Sequence, residues 1–276
     1  MLEQARAEGF CIGAFNVVDY LSIEAVVEAA EQTRSPVIIQ TSSATIKRFG
    51  IEKIVTMTRM AAEESTVPVC LHLDHGTDVT VIKEAIEKGY TSVMIDASKL
   101  PFEENIAISA QIVETAHQSG LAVEGEIGVV AGVEDDIVVN ADDAIYTTPK
   151  EAIEFQSRSG VDFLAAAIGT AHGFYKIAPK LNIDTLREIH AATGFPLVVH
   201  GGTGLSPEIV RELVQAGASK FNVSTQIKQT YIDAMFGYIQ EKRDEYNILK
   251  VLNAAKQELA GMIAEYITLL GGANKA

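Results

Sequence analysis

The chain predicts an α/β protein: a closed (β/α)8 barrel of the TIM type, with a helical extension at its C-terminal end. Three observations carry that prediction. Eight short runs rich in β-branched residues alternate with longer amphipathic segments. The runs are apolar almost throughout, as strands buried on both faces should be. Several helical segments also stop at a glycine just ahead of the next run, at Gly89, Gly120, Gly160, Gly194 and Gly217.

The elements follow in order. Cys11–Val17 is the first strand, and a helix follows over Ile23–Gln32. Val37–Thr41 leads to Ile51–Glu64, Val69–Asp74 to Val79–Lys88, and Ser92–Asp96 to Glu104–Gln118. After the fifth strand, Ala122–Ile127, comes a long acidic connection over Gly128–Thr148, then a helix over Pro149–Ser159. Long connections of this kind are often lids or binding loops. Phe163–Ile168 leads to Ile183–Ala192, Leu197–His200 to Glu208–Ala216, and Lys220–Val223 to a helical tail, Gln226–Leu270. No linker composition interrupts the series, so 1–276 reads as one domain. An open, doubly wound sheet is the alternative, but eight evenly spaced repeats favour closure. A bare barrel does not need the tail, which is expected to meet a partner subunit.

A chain of 276 residues, 47% of them apolar, can bury a large core. Cys11 and Cys70 each lie inside an apolar run and read as buried free thiols in a reducing compartment. The start of the chain lacks a secretory pattern, and no apolar run reaches the ~18 residues of a membrane span. A cytoplasmic location is expected. The formal charge of −15, from 37 acidic and 22 basic residues, argues against a nucleic-acid partner. Any phosphorylated ligand would then be held by local features: backbone amides, a lysine or a metal.

Three phrases carry the chemistry. Leu71-His72-Leu73-Asp74-His75-Gly76, Gly169-Thr170-Ala171-His172-Gly173 and Val198-Val199-His200-Gly201-Gly202-Thr203-Gly204 each deliver a histidine to the end of a strand. The C-terminal rim of a barrel is where active sites form. Three imidazoles there, His75, His172 and His200, suit a zinc site with an open position. His72 should lie deeper, and His117 and His190 fall at helix ends. Asp74, beside His75, reads as a ligand, an orienting carboxylate or an acid/base, and spacing leaves the three roles open. Gly201-Gly202-Thr203-Gly204 and Asn222-Val223-Ser224-Thr225 follow strands seven and eight, where barrels commonly bind phosphate. Gly173 and Lys176 could complete that cradle.

With these residues the chain resembles the class II, zinc-dependent ketose-bisphosphate aldolases, a family that includes fructose- and tagatose-bisphosphate enzymes. The likeness runs from Gly13-Ala14-Phe15-Asn16 to Gly271-Gly272-Ala273-Asn274-Lys275. It includes Val93-Met94-Ile95-Asp96-Ala97-Ser98, Glu124-Gly125-Glu126-Ile127-Gly128 and Gly132-Val133-Glu134-Asp135-Asp136. The resemblance implies reversible aldol cleavage of a phosphorylated ketose to dihydroxyacetone phosphate and an aldehyde. It implies Zn2+, or another divalent ion in its place, on His75, His172 and His200, acting as a Lewis acid that stabilises an enediolate. Asp74 would move the proton of the hydroxyl that becomes the aldehyde oxygen, and Glu134 the proton at the enediolate carbon. Asp96 and Glu126 match a second or displaced metal position, and a monovalent cation, Na+ or K+, is a further expected ligand. Gly173, Lys176, Gly201, Gly202, Thr203, Asn222, Ser224 and Thr225 would hold the phosphate and nearby hydroxyls, with Asn16 and Ser42 as supporting polar residues. The expected assembly is a homodimer or homotetramer.

Two departures from the family bear on substrate. Ser224 stands where fructose-bisphosphate members usually carry an acidic residue or asparagine. Ala260-Gly261-Met262 stands where an arginine or lysine usually reaches a second phosphate, which leaves room for an aldehyde half without phosphate. Three rival readings fit less well. A Schiff-base aldolase needs a lysine deep in the barrel, and Lys220 reads as the start of its strand. A non-catalytic partner subunit would be expected to lose ligands or the acid/base carboxylate, which are present here. A zinc hydrolase often has a His-x-His pair on the first strand, where this chain has Phe15-Asn16-Val17.

Overall fold

The computed structural model describes residues 1–134, 137–140, 145–175 and 179–276, and for residues 133, 134, 137 and 138 the backbone alone. Eight parallel strands close into the barrel: β1 (Ile12–Asn16), β2 (Val37–Thr41), β3 (Val69–Gly76), β4 (Ser92–Ile95), β5 (Ala122–Ile127), β8 (Phe163–Ala166), β10 (Leu197–Val199) and β11 (Ala218–Val223). Strand β1 closes the ring on β11, in register from Ile12 against Lys220 to Phe15 against Val223. Three other strands, β6 (Ala131–Glu134), β7 (Ile137–Val139) and β9 (Ala171–His172), form a small separate sheet. The long connection after β5 therefore has structure of its own.

Period-two alternation decides what each barrel strand does. Phe15, Ile39, Leu71, Leu73, Val93, Val123, Leu164, Val199, Phe221 and Val223 join the main apolar cluster, which the helices cover. The intervening positions face the barrel axis, and many of them are polar and buried: Asn16, Gln40, His72, Asp74, Glu124, Glu126, Lys220 and Asn222. This corrects the expectation that the strands are apolar almost throughout. Both faces are buried, but one of them is buried around a polar site. It also corrects the position of Lys220, which is the third residue of β11 and fully buried inside the barrel.

The outer layer is α2 (Tyr20–Thr33), α4 (Ile51–Glu64), α5 (Val79–Lys88), α6 (Phe102–Gln118), α7 (Pro149–Ser159), α8 (Ile183–Thr193), α9 (Pro207–Gln215) and α11 (Ile248–Leu269). Local chemistry fixes their ends. Asp19 and Thr148 form capping boxes with Ser22 and Glu151, and Ser206 caps α9 with Pro207 at its first turn. Gly89, Gly160 and Gly194 end α5, α7 and α8 in the left-handed conformation.

Three helices lie outside that alternation: α1 (Leu2–Glu8), α3 (Ser43–Phe49) and α10 (Thr225–Glu241). Leu2 of α1 packs against two small apolar clusters, one with Ile12, Ala14 and Ile38 and one with Phe163, Ala165 and Val198, so α1 covers the N-terminal end of the barrel. The tail divides into two parts. Helix α11 buries Val251, Ala255, Leu259, Ala260, Ile263 and Ile267 at helical spacing and serves as the eighth outer helix. Helix α10 is the addition, with Ile232, Phe236 and Ile239 exposed. Ala260 belongs to the buried face of α11, so this stretch of the tail is a packing element of its own barrel. Cys11 is a buried free thiol as expected, whereas Cys70, also free, is only half-buried. Among the described residues no helix is long and apolar enough to cross a membrane.

Candidate active site

Strand β3 supplies two neighbouring residues to one site, which a regular strand cannot do because successive side chains point to opposite faces. Its register against β4 shifts between Leu73 and Gly76, and His75 has φ of 48°, in the left-handed region. The resulting bulge turns Asp74 and His75 inward together. A non-glycine residue in that region costs on the order of 1–3 kcal/mol, and such strain gathers at functional sites. Gly76 completes the bend, since a Cβ there would stand 2.4 Å from the carbonyl oxygen of Met94.

His200 sits one residue beyond β10. His172 does not follow its barrel strand directly, as the sequence suggested, but lies in β9, paired with β6. The three imidazoles meet at the mouth of the barrel. Ring centroids are 5.1 Å apart for His75 and His172, 4.7 Å for His75 and His200, and 5.9 Å for His172 and His200. One donor atom from each lies within 4.8 Å of the others. His75 Nε2 and His200 Nδ1 face each other at 3.0 Å. Their other nitrogens are engaged by carboxylates, His75 Nδ1 by Asp96 at 2.8 Å and His200 Nε2 by Glu124 at 2.8 Å. A carboxylate behind each ring takes the outer N–H, so that loss of the one proton between the inner nitrogens frees both lone pairs for a metal. His75, Asp96 and Glu126 form a second group whose donor atoms lie within 4.8 Å of one another, and the buried Oε2 of Glu126 has no hydrogen-bond partner among the described residues. The donor set fits a divalent cation such as zinc.

The electrostatics follow from this crowding. Burial opposes charge on His75, but Asp74, Asp96 and Glu126 outweigh it and hold the imidazolium well above its usual range. Burial and the charges of His75 and His200 push His172 well below it. Burial and the Asp96 carboxylate raise Glu126 far above an ordinary carboxyl. For Asp74 burial acts upward, but His75, Lys220, His200 and the Asn16 hydrogen bond together bring it below its usual range.

Asp74 is caged by amides. Asn16 Nδ2 donates to its Oδ2 at 2.8 Å, Gln40 Nε2 to the same oxygen at 3.3 Å, and Asn222 Nδ2 to Oδ1 at 3.2 Å. Gln40 also donates to Asn16 Oδ1 at 2.7 Å. Asn222, expected at the phosphate, therefore has its side chain in the Asp74 cage, because β11 aims it at the barrel axis. Ser42 caps α3 through Thr45 N.

The other described residues expected in the cradle lie in the turns after β9 and β10 and at the start of α10. Gly201 has φ of 66°, and the Tyr175 hydroxyl, its pKa pushed up by burial to about 12, donates to its carbonyl at 2.7 Å. Tyr175 also accepts from Ala171 N, which ties this loop to β9. A Cβ on Gly202 would lie 2.1 Å from the Phe221 ring. Thr203 Oγ1 accepts from Gln226 N at 3.4 Å, joining the loop to the start of α10. Ser224 and Thr225 form that helix N-terminus, where the backbone favours anions, and the buried Ser224 Oγ has no partner among the described residues. Gly173, with φ of 91°, turns the chain after His172. Lys176 lies outside the described residues, and Glu134 is placed only as the last backbone position of β6.

Sequence reading missed Gln40, Glu124, Lys220 and Tyr175. The first three are polar residues inside strands. Their one signal was a polar residue at an inward position of a barrel strand.

The family model for class-II fructose-bisphosphate aldolase matches residues 1–275. The sulfofructosephosphate aldolase of Alkalicoccus urumqiensis is 39% identical over 276 residues, covering all of this chain and 96% of that protein. The probable fructose-bisphosphate aldolase of Bacillus subtilis is 39% identical over 279 residues, covering all of this chain and 97% of the relative. Among solved structures, a putative fructose-1,6-bisphosphate aldolase from Coccidioides immitis superposes with a TM-score of 0.92 at 29% identity, over 99% of this chain and 96% of the other. The YdjI aldolase from Escherichia coli K12 gives 0.88 at 32% identity, over 100% and 97%. With its whole length matched and its polar groups gathered at the barrel mouth, the chain belongs to the class-II fructose-bisphosphate aldolase family, whose members are lyases.

Proposed function

We propose that the protein catalyses zinc-dependent, reversible aldol cleavage of a phosphorylated ketose to dihydroxyacetone phosphate and an aldehyde. The observation that carries this reading is the pairing of three convergent imidazoles with one ionised, amide-caged carboxylate. His75, His172 and His200 hold the metal, with Asp96 and Glu126 as the second or displaced position. Zinc, or another divalent ion in its place, supplies Lewis acidity that stabilises negative charge on the ketose oxygens.

Asp74 takes the proton of the hydroxyl that becomes the aldehyde oxygen. Its pKa suits that role, since an ionised carboxylate is ready to accept. Asn16, Gln40 and Asn222 aim it. Glu134 moves the proton at the carbon that was bonded to the aldehyde. Gly173, Lys176, Gly201, Gly202, Thr203, Ser224 and Thr225 hold the phosphate shared by every substrate of this class, and a sodium or potassium ion can share the charge there.

The aldehyde half is a sugar fragment that does not require a second phosphate. Ala260 is buried in α11 and offers no cation, and one 39%-identical relative is named for a sulfosugar phosphate. The protein works in the cytoplasm as a homodimer or homotetramer, and the exposed Ile232, Phe236 and Ile239 of α10 support self-association.

The test is deuterium exchange at the hydroxymethyl carbon of dihydroxyacetone phosphate, followed by NMR with and without chelator. Stereospecific exchange that stops on chelation is expected. No exchange from the zinc-loaded protein would remove the aldolase reading.

A further inference from the structure

Lys220 is fully buried inside the barrel. Its ammonium meets Glu124, which reaches His200, and Asn222, which reaches Asp74. Lys220 Nζ lies 2.9 Å from Glu124 Oε2, and the other oxygen of Glu124 accepts from His200 Nε2 at 2.8 Å. Lys220 Nζ also donates to Asn222 Oδ1 at 2.8 Å, and Asn222 Nδ2 donates to Asp74 Oδ1 at 3.2 Å.

An ammonium can only donate, and an ionised carboxylate can only accept. With Lys220 in place, the amide of Asn222 has one allowed orientation: oxygen to Lys220, nitrogen to Asp74. The same reasoning runs along the other arm. Glu124, ion-paired with the lysine and 3.3 Å from His72 Nε2, can only accept as a carboxylate, so it favours the His200 tautomer with hydrogen on Nε2 and Nδ1 turned to His75.

We propose that Lys220 is a positioning residue that sets the hydrogen-bond polarity of both halves of the site, the metal side through Glu124 and the proton-transfer side through Asn222. The proposal rests on the metal-dependent aldolase reading for its activity readout only. The metal-side readout stands without it.

The N-terminal end of the barrel offers a way to test this. Lys220, His72 and Ser92, with Met1 and Leu2, line a cavity of about 440 Å³ there. A small alkylammonium placed in it could stand in for a truncated lysine.

The experiment compares full-length wild type, Lys220→Met, Glu124→Gln and the double variant. Zinc affinity of the metal-free protein is measured by competition with a chromophoric chelator, and dihydroxyacetone phosphate exchange is measured at saturating zinc. Lys220→Met should bind zinc about 10–100-fold more weakly, the usual cost of losing a group that orients a metal ligand. Its exchange rate at saturating zinc should also fall by about tenfold or more, mainly in kcat, because the Asn222 amide is free to turn its oxygen onto Asp74. In the Glu124→Gln background, Lys220→Met should cost little further zinc affinity. Propylammonium added to Lys220→Ala should restore part of both losses.

Zinc affinity of Lys220→Met within about threefold of wild type, or zinc losses that add in full with Glu124→Gln, would overturn the proposal. If Lys220→Met does not fold, imidazole nitrogen NMR on zinc-loaded wild type decides. A slowly exchanging hydrogen on Nε2 of His200 with Nδ1 bound to metal supports it, and metal on Nε2 refutes it. Wild type that binds zinc but does not exchange dihydroxyacetone phosphate would sink the aldolase reading and leave the zinc arm of this test intact.

Discussion

A histidine must give up its proton before it can hold a divalent ion, and His75, a proposed ligand, holds its proton firmly. Asp74, Asp96 and Glu126 surround it and keep the metal-free imidazolium well above the usual ~6.5. A group with a raised folded-state pKa stabilises the metal-free fold fully at low pH and loses that contribution as pH rises through the raised value. Metal binding runs the other way: zinc must displace this proton, so its affinity increases with pH. Calorimetry in buffers of different ionisation enthalpy should show proton release on zinc binding near neutral pH, and a heat independent of buffer would contradict the assignment. The same scale separates metal binding from proton transfer. His172→Ala should lose zinc and activity together. Asp74→Asn should keep zinc and lose about 10²–10⁴-fold in cleavage, the usual worth of a positioned acid or base; normal turnover in that variant would remove Asp74 from its role.

Among the elements, the hairpin of β6 and β7 matters most, because β6 pairs with β9, the strand that carries His172. Gly132 faces His172 in that pairing with φ of 109°, and a Cβ there would lie 2.2 Å from the His172 carbonyl oxygen. Gly132→Ala must therefore part the two strands. The closed barrel stands apart from this small sheet, so the thermal midpoint should move little while kcat drops by about 10–100-fold, the cost of a misplacement near 1 Å. Steady-state kinetics beside a circular-dichroism melt would check this, and an unchanged kcat would exclude the hairpin from the mechanism. The element scale also shows what motifs leave out. Val79–Lys88 and Pro149–Ser159 were legible to the residue because caps, glycines and 3.6-residue periodicity coincide there. The bulge at Asp74-His75 was not, since it exists only as a register shift against β4.

For the whole molecule, closure of the barrel is the organising event. It brings Gln40, Asp74, Glu124 and Lys220, far apart in the chain, into one buried network around the axis. The outer surface carries the assembly question. Ile232, Phe236 and Ile239 follow one another at helical spacing on α10 and remain exposed. Sedimentation should find a homodimer or homotetramer, and Phe236→Glu should shift it towards monomer with the barrel still folded. A wild-type monomer at micromolar concentration would refute this.

The sequence by itself determined the strand–helix alternation, the three histidines, Asp74 and the glycine-rich cradle, because each leaves a local pattern: a run, a period or a motif. Only the tertiary structure decided which polar residues share the barrel axis, that Asn222 serves Asp74, and that α11 rather than α10 completes the outer layer. The reason is geometric. A side chain's face is local and follows from period two, but its neighbours across a closed barrel depend on the register of all eight strands at once.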